Sequence, residues 1–207
     1  MRIKLVADKN YPRIFHSPGL EPWILGLLLN FGSSNILDVG CGYGFWGFIV
    51  RRRVSSLNYV VGLDLDYDRL TKAEAVYDDV VLADAKKLPF RASSFDAVLA
   101  IEVLHGLEED KLATMLKQIR EICKRVAVTS FPKLSSKQRR VLTGHGFKQY
   151  KYLLRGFILV SDSGEVILMY KTRFIKFVGL LVRIVYSLLK LIRWFKEGYH
   201  LAIYFRK

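Results

Sequence analysis

Apolar residues along this chain fall into short runs separated by segments with helical spacing. Ile36–Val39, Tyr59–Leu63, Val80–Ala83, Phe95–Ala100 and Val126–Ser130 are brief, rich in Val, Ile, Leu and Ala, and bounded by Gly, Asp, Ser or Pro. That pattern predicts five buried strands. Between them, Gly44–Arg53, Asp68–Tyr77 and Glu108–Cys123 predict helices. In the last of these, Leu112, Met115, Leu116 and Ile119 share one helical face. Asp68 stands where a cap for the second helix is needed. Ser135–Thr143 predicts a further helix, stopped by Gly144 and Gly146. Phe147–Val160 reads as largely extended, and Tyr199–Lys207 as a last strand. Strands alternating with helices imply an α/β domain with a doubly wound, mostly parallel sheet. Ligands of such sheets bind at the carboxyl ends of the strands, where strand order reverses.

Two segments stand outside the alternation. Residues 1–34 hold an aromatic, Pro-containing stretch and a short apolar helix, Trp23–Phe31. Residues 173–197 predict a long amphipathic helix. At 100° per residue, Arg173, Lys176, Arg183, Lys190 and Arg193 share one side, while Phe174, Phe177, Leu181, Val185, Leu188 and Ile192 cover much of the rest. The 207 residues fit one domain: an N-terminal cap segment (1–34), a core (35–160), the basic helix (173–197) and a final strand (199–207).

Charge sharpens the picture. The net formal charge is +14. Residues 1–110 carry 12 Lys/Arg against 15 Asp/Glu, and residues 111–207 carry 21 against 4. An asymmetry from −3 to +17 suits an anionic partner for the second half, or a solubilising basic face. The two cysteines, Cys41 and Cys123, are far apart in sequence and near no His cluster, so neither a disulfide framework nor a metal site is expected. The first residues lack the apolar core of a signal peptide, and a cytoplasmic location is expected, with peripheral membrane contact as an addition.

The strongest chemical signal is Asn35-Ile-Leu-Asp-Val-Gly-Cys-Gly-Tyr-Gly44. A strand runs into Gly40-x-Gly42-x-Gly44 and then into a helix, so the backbone turns sharply and can lie close against a ligand. The dinucleotide fingerprint needs G-x-G-x-x-G, and Phe45 stands at its third glycine. Asp38, just before the glycines, would repel a pyrophosphate but suits a cationic amino-acid group.

On these residues the chain resembles the class I S-adenosylmethionine-dependent methyltransferases, and among them the small-molecule and lipid type similar to the type 11 methyltransferase domain. Further landmarks of that family follow in order: Val61-Gly-Leu-Asp64, Leu82-Ala-Asp84-Ala85, Ser94-Phe95-Asp96-Ala-Val98 and Ala100-Ile-Glu102-Val-Leu-His105. The resemblance implies a Rossmann-like, seven-stranded methyltransferase sheet with the amphipathic helix inserted before the last strand. It implies S-adenosylmethionine as cofactor, held over Gly40, Cys41, Gly42 and Gly44 with Asp38. Asp64 would take the ribose diol with Leu65 beside it, Asp84 and Ala85 would flank the adenine, and Ile101 and Glu102 would face the cofactor from the loop after the fourth strand.

Methyl transfer from a sulfonium is an in-line displacement, and a base is needed only where the nucleophile carries a proton. His105, Tyr11 and His16 are the candidate catalytic residues, with Glu102 a further candidate base; His105 is expected at the methyl-transfer face. Ala100-Ile-Glu-Val-Leu-His105 differs from the Asn/Asp-Pro-Pro-aromatic sequence of enzymes that modify base amino groups. A small-molecule or lipid acceptor is therefore expected, with residues 173–197 acting as a lid, a membrane-surface element or a helix packed on the sheet. RNA is the alternative: Lys133, Lys137, Arg139, Arg140, Lys148, Lys151 and Arg155 could follow phosphates, with Phe147, Tyr150 and Tyr152 interleaved for stacking.

Overall fold

A computed structural model describes residues 20–153, 158–161, 166–168 and 200–206. Helix α1 (Glu21–Asn30) leads into β1 (Asn35–Val39), α2 (Phe45–Arg53), β2 (Tyr59–Asp64), α3 (Tyr67–Ala73) with a short 3-10 turn (Glu74–Val76), β3 (Asp79–Leu82), β4 (Phe95–Ala100), α4 (Glu109–Ile122), β5 (Cys123–Phe131) and α5 (Ser136–Gly144). The described strands that follow are β6 (Lys148–Leu153), β7 (Ile158–Ser161), β8 (Val166–Leu168) and β9 (His200–Phe205). The predicted strands and helices lie within a few residues of the observed ones. The predicted basic helix at 173–197, and Tyr11 and His16, lie outside the described residues.

All nine strands form one sheet in the order β3-β2-β1-β4-β5-β9-β6-β7-β8. The first five run parallel. β9 is antiparallel to both β5 and β6, and the β6-β7-β8 edge is antiparallel throughout. The doubly wound α/β sheet is as expected, and its first seven strands make the expected set. Two further strands extend it, because the run predicted as one extended stretch from Phe147 to Val160 doubles back: Tyr150 pairs with Ser161 and Leu153 with Ile158.

Alternation along the strands fills two separate cores. Ile36, Ala97, Leu99 and Val126 face the layer that holds Trp23, Ile24, Leu28, Trp46 and Val50 of α1 and α2. Leu37, Val39, Val98 and Ala127 face α4, whose Leu112, Met115, Leu116, Ile119 and Ile122 are buried in one stripe. Phe147 and Tyr150 are 3% and 2% exposed. They are core residues on opposite faces, so the expected stacking of bases on these two rings is corrected.

Polar groups fix the element ends. Asp66, not the expected Asp68, caps α3: its Oδ1 accepts from the Arg69 N–H at 3.2 Å. Asp68 sits in the first turn, where a carboxylate favours the helix dipole. Ser135 and Gln138 form a capping box at the start of α5. Asp96, at the start of β4, accepts from the Ser34 hydroxyl (2.8 Å) and from the Asn35 N–H (3.0 Å), which ties β4 to the entry of β1. Among the described residues, no helix is long and apolar enough to cross a membrane.

Candidate active site

β1 pairs with β2 on one side and β4 on the other, so successive connections leave it in opposite directions. A crevice opens at such a reversal, at the carboxyl ends of the strands. Here it is a cleft of about 380 Å³, within the size range of cofactor pockets. β1 contributes Gly40, β2 contributes Asp64 and Leu65, β3 contributes Asp84 and Ala85, and β4 contributes Ile101 and Glu102. The fold thus brings together residues spread over more than sixty positions of sequence, including seven of the eleven proposed for the cofactor.

Asp64 is held from two sides. Its Oδ2 accepts from the Gly42 N–H at 2.8 Å and its Oδ1 from the Asp66 N–H at 3.0 Å. At 9% exposure the carboxylate is fixed by backbone donors yet lines the cleft, where its remaining lone pairs can accept from a diol. Asp84 is set by its own turn: its Oδ1 accepts from the Lys86 N–H at 2.9 Å, and the Lys86 ammonium lies 3.6 Å from Oδ2. Leu65 is 69% exposed, an apolar surface next to Asp64.

The three loop glycines serve different ends. Gly40 leaves no room for a Cβ, which would run into the Val103 side chain. Gly44 packs against Val76 and Ala73 as the N-cap of α2. Gly42 is different: it has φ +54°, and no protein atom lies within 4 Å of the position a Cβ would take. Space over this backbone is open, and its N–H holds Asp64. That is the local geometry a ligand lying along the loop requires.

Two proposed residues of the loop do not line the cleft. Cys41 is 7% exposed and belongs to the core, and burial pushes its thiol far above the ordinary range, so it is an inert space-filler. Asp38 is 2% exposed beneath the loop. Its Oδ2 accepts from the Tyr77 hydroxyl at 2.6 Å, and that hydroxyl in turn accepts from the Gly47 N–H at 3.1 Å. The Tyr77 ring fits between two glycines: a Cβ on Gly47 would stand 2.5 Å from it, and one on Gly62 2.8 Å. Burial raises the Asp38 carboxyl to about 7; the Tyr77 hydrogen bond works against that rise, and the nearby Asp64 adds to it.

Glu102 carries a strained backbone, φ +61°, at the end of β4, and its N–H donates to the Ser130 hydroxyl at 3.0 Å. Such a conformation in a non-glycine residue persists where the surroundings hold it, and is common at functional sites. His105 is exposed on the same loop, which is tied to α5 by the Gln138 amide donating to the His105 carbonyl at 2.9 Å. The residues lining the described cleft include Leu107 but not His105. Tyr11 and His16 lie outside the described residues, so the expected catalytic group is not assembled here. Among the described residues no cluster of His, Cys, Asp and Glu could hold a metal ion.

Sequence reasoning missed Tyr77, whose position after a 3-10 turn gives no periodic or motif signal. It also missed Arg69, Lys86, Val103, Leu107 and Met115, which complete the cleft. Of these only Lys86 had a legible sign, its spacing two residues after Asp84.

The fold and this cleft define a Rossmann-like nucleotide-cofactor domain of the methyltransferase type. The methyltransferase domain family matches residues 36–125. An uncharacterized methyltransferase of Mycobacterium tuberculosis is 28% identical over 105 residues, covering 45% of this chain and 52% of the relative. The malonyl-[acyl-carrier protein] O-methyltransferase of Legionella pneumophila is 34% identical over 86 residues, covering 37% of this chain and 28% of that protein. The crystal structure of magnesium protoporphyrin IX methyltransferase from Synechocystis PCC 6803 with bound S-adenosylmethionine superposes with a TM-score of 0.55 at 13% identity, over 91% of this chain and 78% of that one, a likeness of fold. This chain belongs to the class I S-adenosylmethionine-dependent methyltransferase family, and S-adenosylmethionine is its cofactor. The chain spans about half the length of the first curated relatives it matches.

Proposed function

We propose that this protein transfers the methyl group of S-adenosylmethionine to a small-molecule or lipid-like acceptor. One observation carries the reading: Asp64 is fixed by the Gly42 N–H at the floor of a cleft whose roof over Gly42 is open. A preset carboxylate beside bare backbone suits a ribose diol lying across the loop. Asp84 and Ala85 would flank the adenine, Leu65 would pack on it, and Asp38, under the loop, would offset the positive charge of the methionine half. The cofactor, when bound, supplies an electrophilic methyl on a sulfonium. Ile101, Val103, Leu107 and Met115 give the cleft an apolar wall that excludes water from that carbon. Glu102, held in its strained backbone at the mouth, is the described candidate to accept a proton from a hydroxyl or carboxyl acceptor; His105, Tyr11 and His16 are the others.

The acceptor class rests on the sequence of the loop after β4 and on the name of the Legionella relative, an O-methyltransferase of an acyl group. The amphipathic helix at 173–197, a lid or a membrane-surface element in this reading, agrees with an apolar acceptor. RNA remains the second reading because residues 111–207 carry the whole positive excess.

Methyl-labelled S-adenosylmethionine incubated with the protein and a cell extract decides between them. Label in the organic phase is the expected result, and nuclease-sensitive label in the precipitate would replace it with RNA. Asp64→Ala should weaken donor binding by about 1–3 kcal/mol, the worth of hydrogen bonds to a charged group. Unchanged affinity in a titration would overturn the assignment of Asp64.

A further inference from the structure

A second cavity, of about 350 Å³, lies at the other end of the parallel strands. It is lined by Lys117, Arg120 and Glu121 of α4, by Tyr204 of β9 and by Arg206 just after it, and it shares no residue with the cofactor cleft. Arg206 marks the place: its Nη1 donates to the carbonyl of Cys123, the first residue of β5 (2.8 Å), and to the Ser93 hydroxyl before β4 (2.7 Å).

Three basic side chains meet one carboxylate in this cavity. Lys117 and Arg120 are three apart on α4 and so share a face. The Arg120 guanidinium lies over the Tyr204 ring, 4.9 Å from its centroid, which fixes its plane. Arg206 already serves the strand end through Nη1. The Nε of Arg120 is buried, and among the described residues nothing accepts from it. A buried, unsatisfied donor calls for an explanation, and a bound acceptor is one. The Nε edge of a guanidinium is one of its two-donor edges, the geometry that meets two oxygens of one oxyanion.

We propose that this cavity binds the phosphoryl group of a small phosphorylated ligand. One oxygen would sit on Arg120 Nε, with the remaining oxygens toward the Lys117 ammonium and the free donors of Arg206. The excess of two positive charges matches a dianion, and the cavity has the size of a nucleotide or sugar phosphate rather than of a polymer surface. The site is independent of methyl transfer, and its test does not require activity.

The experiment is a calorimetric titration of the protein with pyrophosphate and with inorganic phosphate at low salt, repeated on Arg120→Lys and Lys117→Ala. S-adenosylhomocysteine is titrated alongside as a control for the cofactor cleft. R120K keeps the charge and loses the Nε edge, so it separates geometry from general attraction. Saturable binding that weakens at least about tenfold in both variants, with S-adenosylhomocysteine affinity unchanged, is the expected result. K117A carries the test alone if R120K fails to fold. Absence of saturable binding overturns the proposal. So does binding undiminished in the variants, which would mark a diffuse basic surface. An RNA oligonucleotide or anionic vesicle that binds through Arg120 while both phosphates fail would give the cavity to a macromolecule and also overturn it.

Discussion

Replacing Tyr77 by Phe removes one oxygen from the buried chain Gly47 N–H, Tyr77 hydroxyl, Asp38 carboxylate. The ring still fits its slot between Gly47 and Gly62, so packing is preserved. Two effects follow. The Gly47 N–H loses its acceptor, and the helix start loses about 1–3 kcal/mol, the cost of a buried donor left unpaired. More telling is the change at Asp38. Its carboxyl stands at about 7 because burial and Asp64 raise it against the opposing Tyr77 hydrogen bond. Without that bond it moves higher, by about 1–2 pH units if a hydrogen bond to a charged group is worth ~1.5–3 kcal/mol. If the ionised Asp38 offsets the positive charge of the cofactor's methionine half, donor affinity in the native protein rises with pH up to about 7 and then levels. In Y77F the same rise is displaced upward, so the affinity at neutral pH falls by about 10–100-fold and the two profiles converge above pH ~9. Titration of S-adenosylhomocysteine between pH 5.5 and 9.5 by calorimetry, a window of about two units on either side of neutrality, reads both curves. A flat native profile, or superimposable profiles for the two proteins, refutes the coupling of Asp38 to the donor.

Asp38→Asn tests the stability side of the same group. A carboxyl whose folded value, about 7, lies above its unfolded value of 3.8 contributes most at low pH, and that contribution is lost as pH rises from about 4 to 7. D38N should therefore be more stable than the native protein at pH 8 by about 2–4 kcal/mol, equal to it near pH 4, and weaker in donor binding; thermal melts at the two pH values check it. Gly42→Ala places a methyl into the open space above the loop at φ +54°, and should weaken donor binding about tenfold or more while costing the fold only ~1–2 kcal/mol of backbone strain; an affinity loss no larger than the stability loss would show that no ligand approaches that glycine. Asp96→Ala removes the acceptor of Ser34 and Asn35 and should cost about 2–3 kcal/mol in urea unfolding, with S-adenosylhomocysteine affinity nearly unchanged in the folded protein. Asp96 is held below its ordinary range: burial raises it, but the hydrogen bonds from Asn35 and Ser34 and the charge of Lys124 outweigh that. Its contribution is therefore present at neutral pH and lost on acidification below about 4.

The sequence by itself determined the alternation of buried strands and helices, because a run of Val, Ile and Leu without a polar face has one place to go, and because Asp-x-Gly-x-Gly-x-Gly between a strand and a helix forces a tight turn. It also placed acids at the ends of β2 and β3, since a carboxylate following a buried strand emerges at the sheet's edge. What it could not determine was the company those acids keep. Asp66 rather than Asp68 caps α3 because the N–H within reach of its side chain depends on where the chain leaves β2. Asp38 meets Tyr77, 39 residues away, only because Gly47 and Gly62 leave a slot the width of a ring between α2 and β2. Phe147 and Tyr150 alternate in an extended run and read equally well as a stacking surface or as core, and the pairing of β6 with β9 between two covered faces decided for core. The left-handed backbone of Glu102 and the unpartnered Arg120 Nε have no sequence signature, because each results from contacts between elements distant along the chain. Local pattern fixes which residues must be buried and where the chain must turn; which polar groups are left facing one another is decided when the sheet closes its order around β1 and β4.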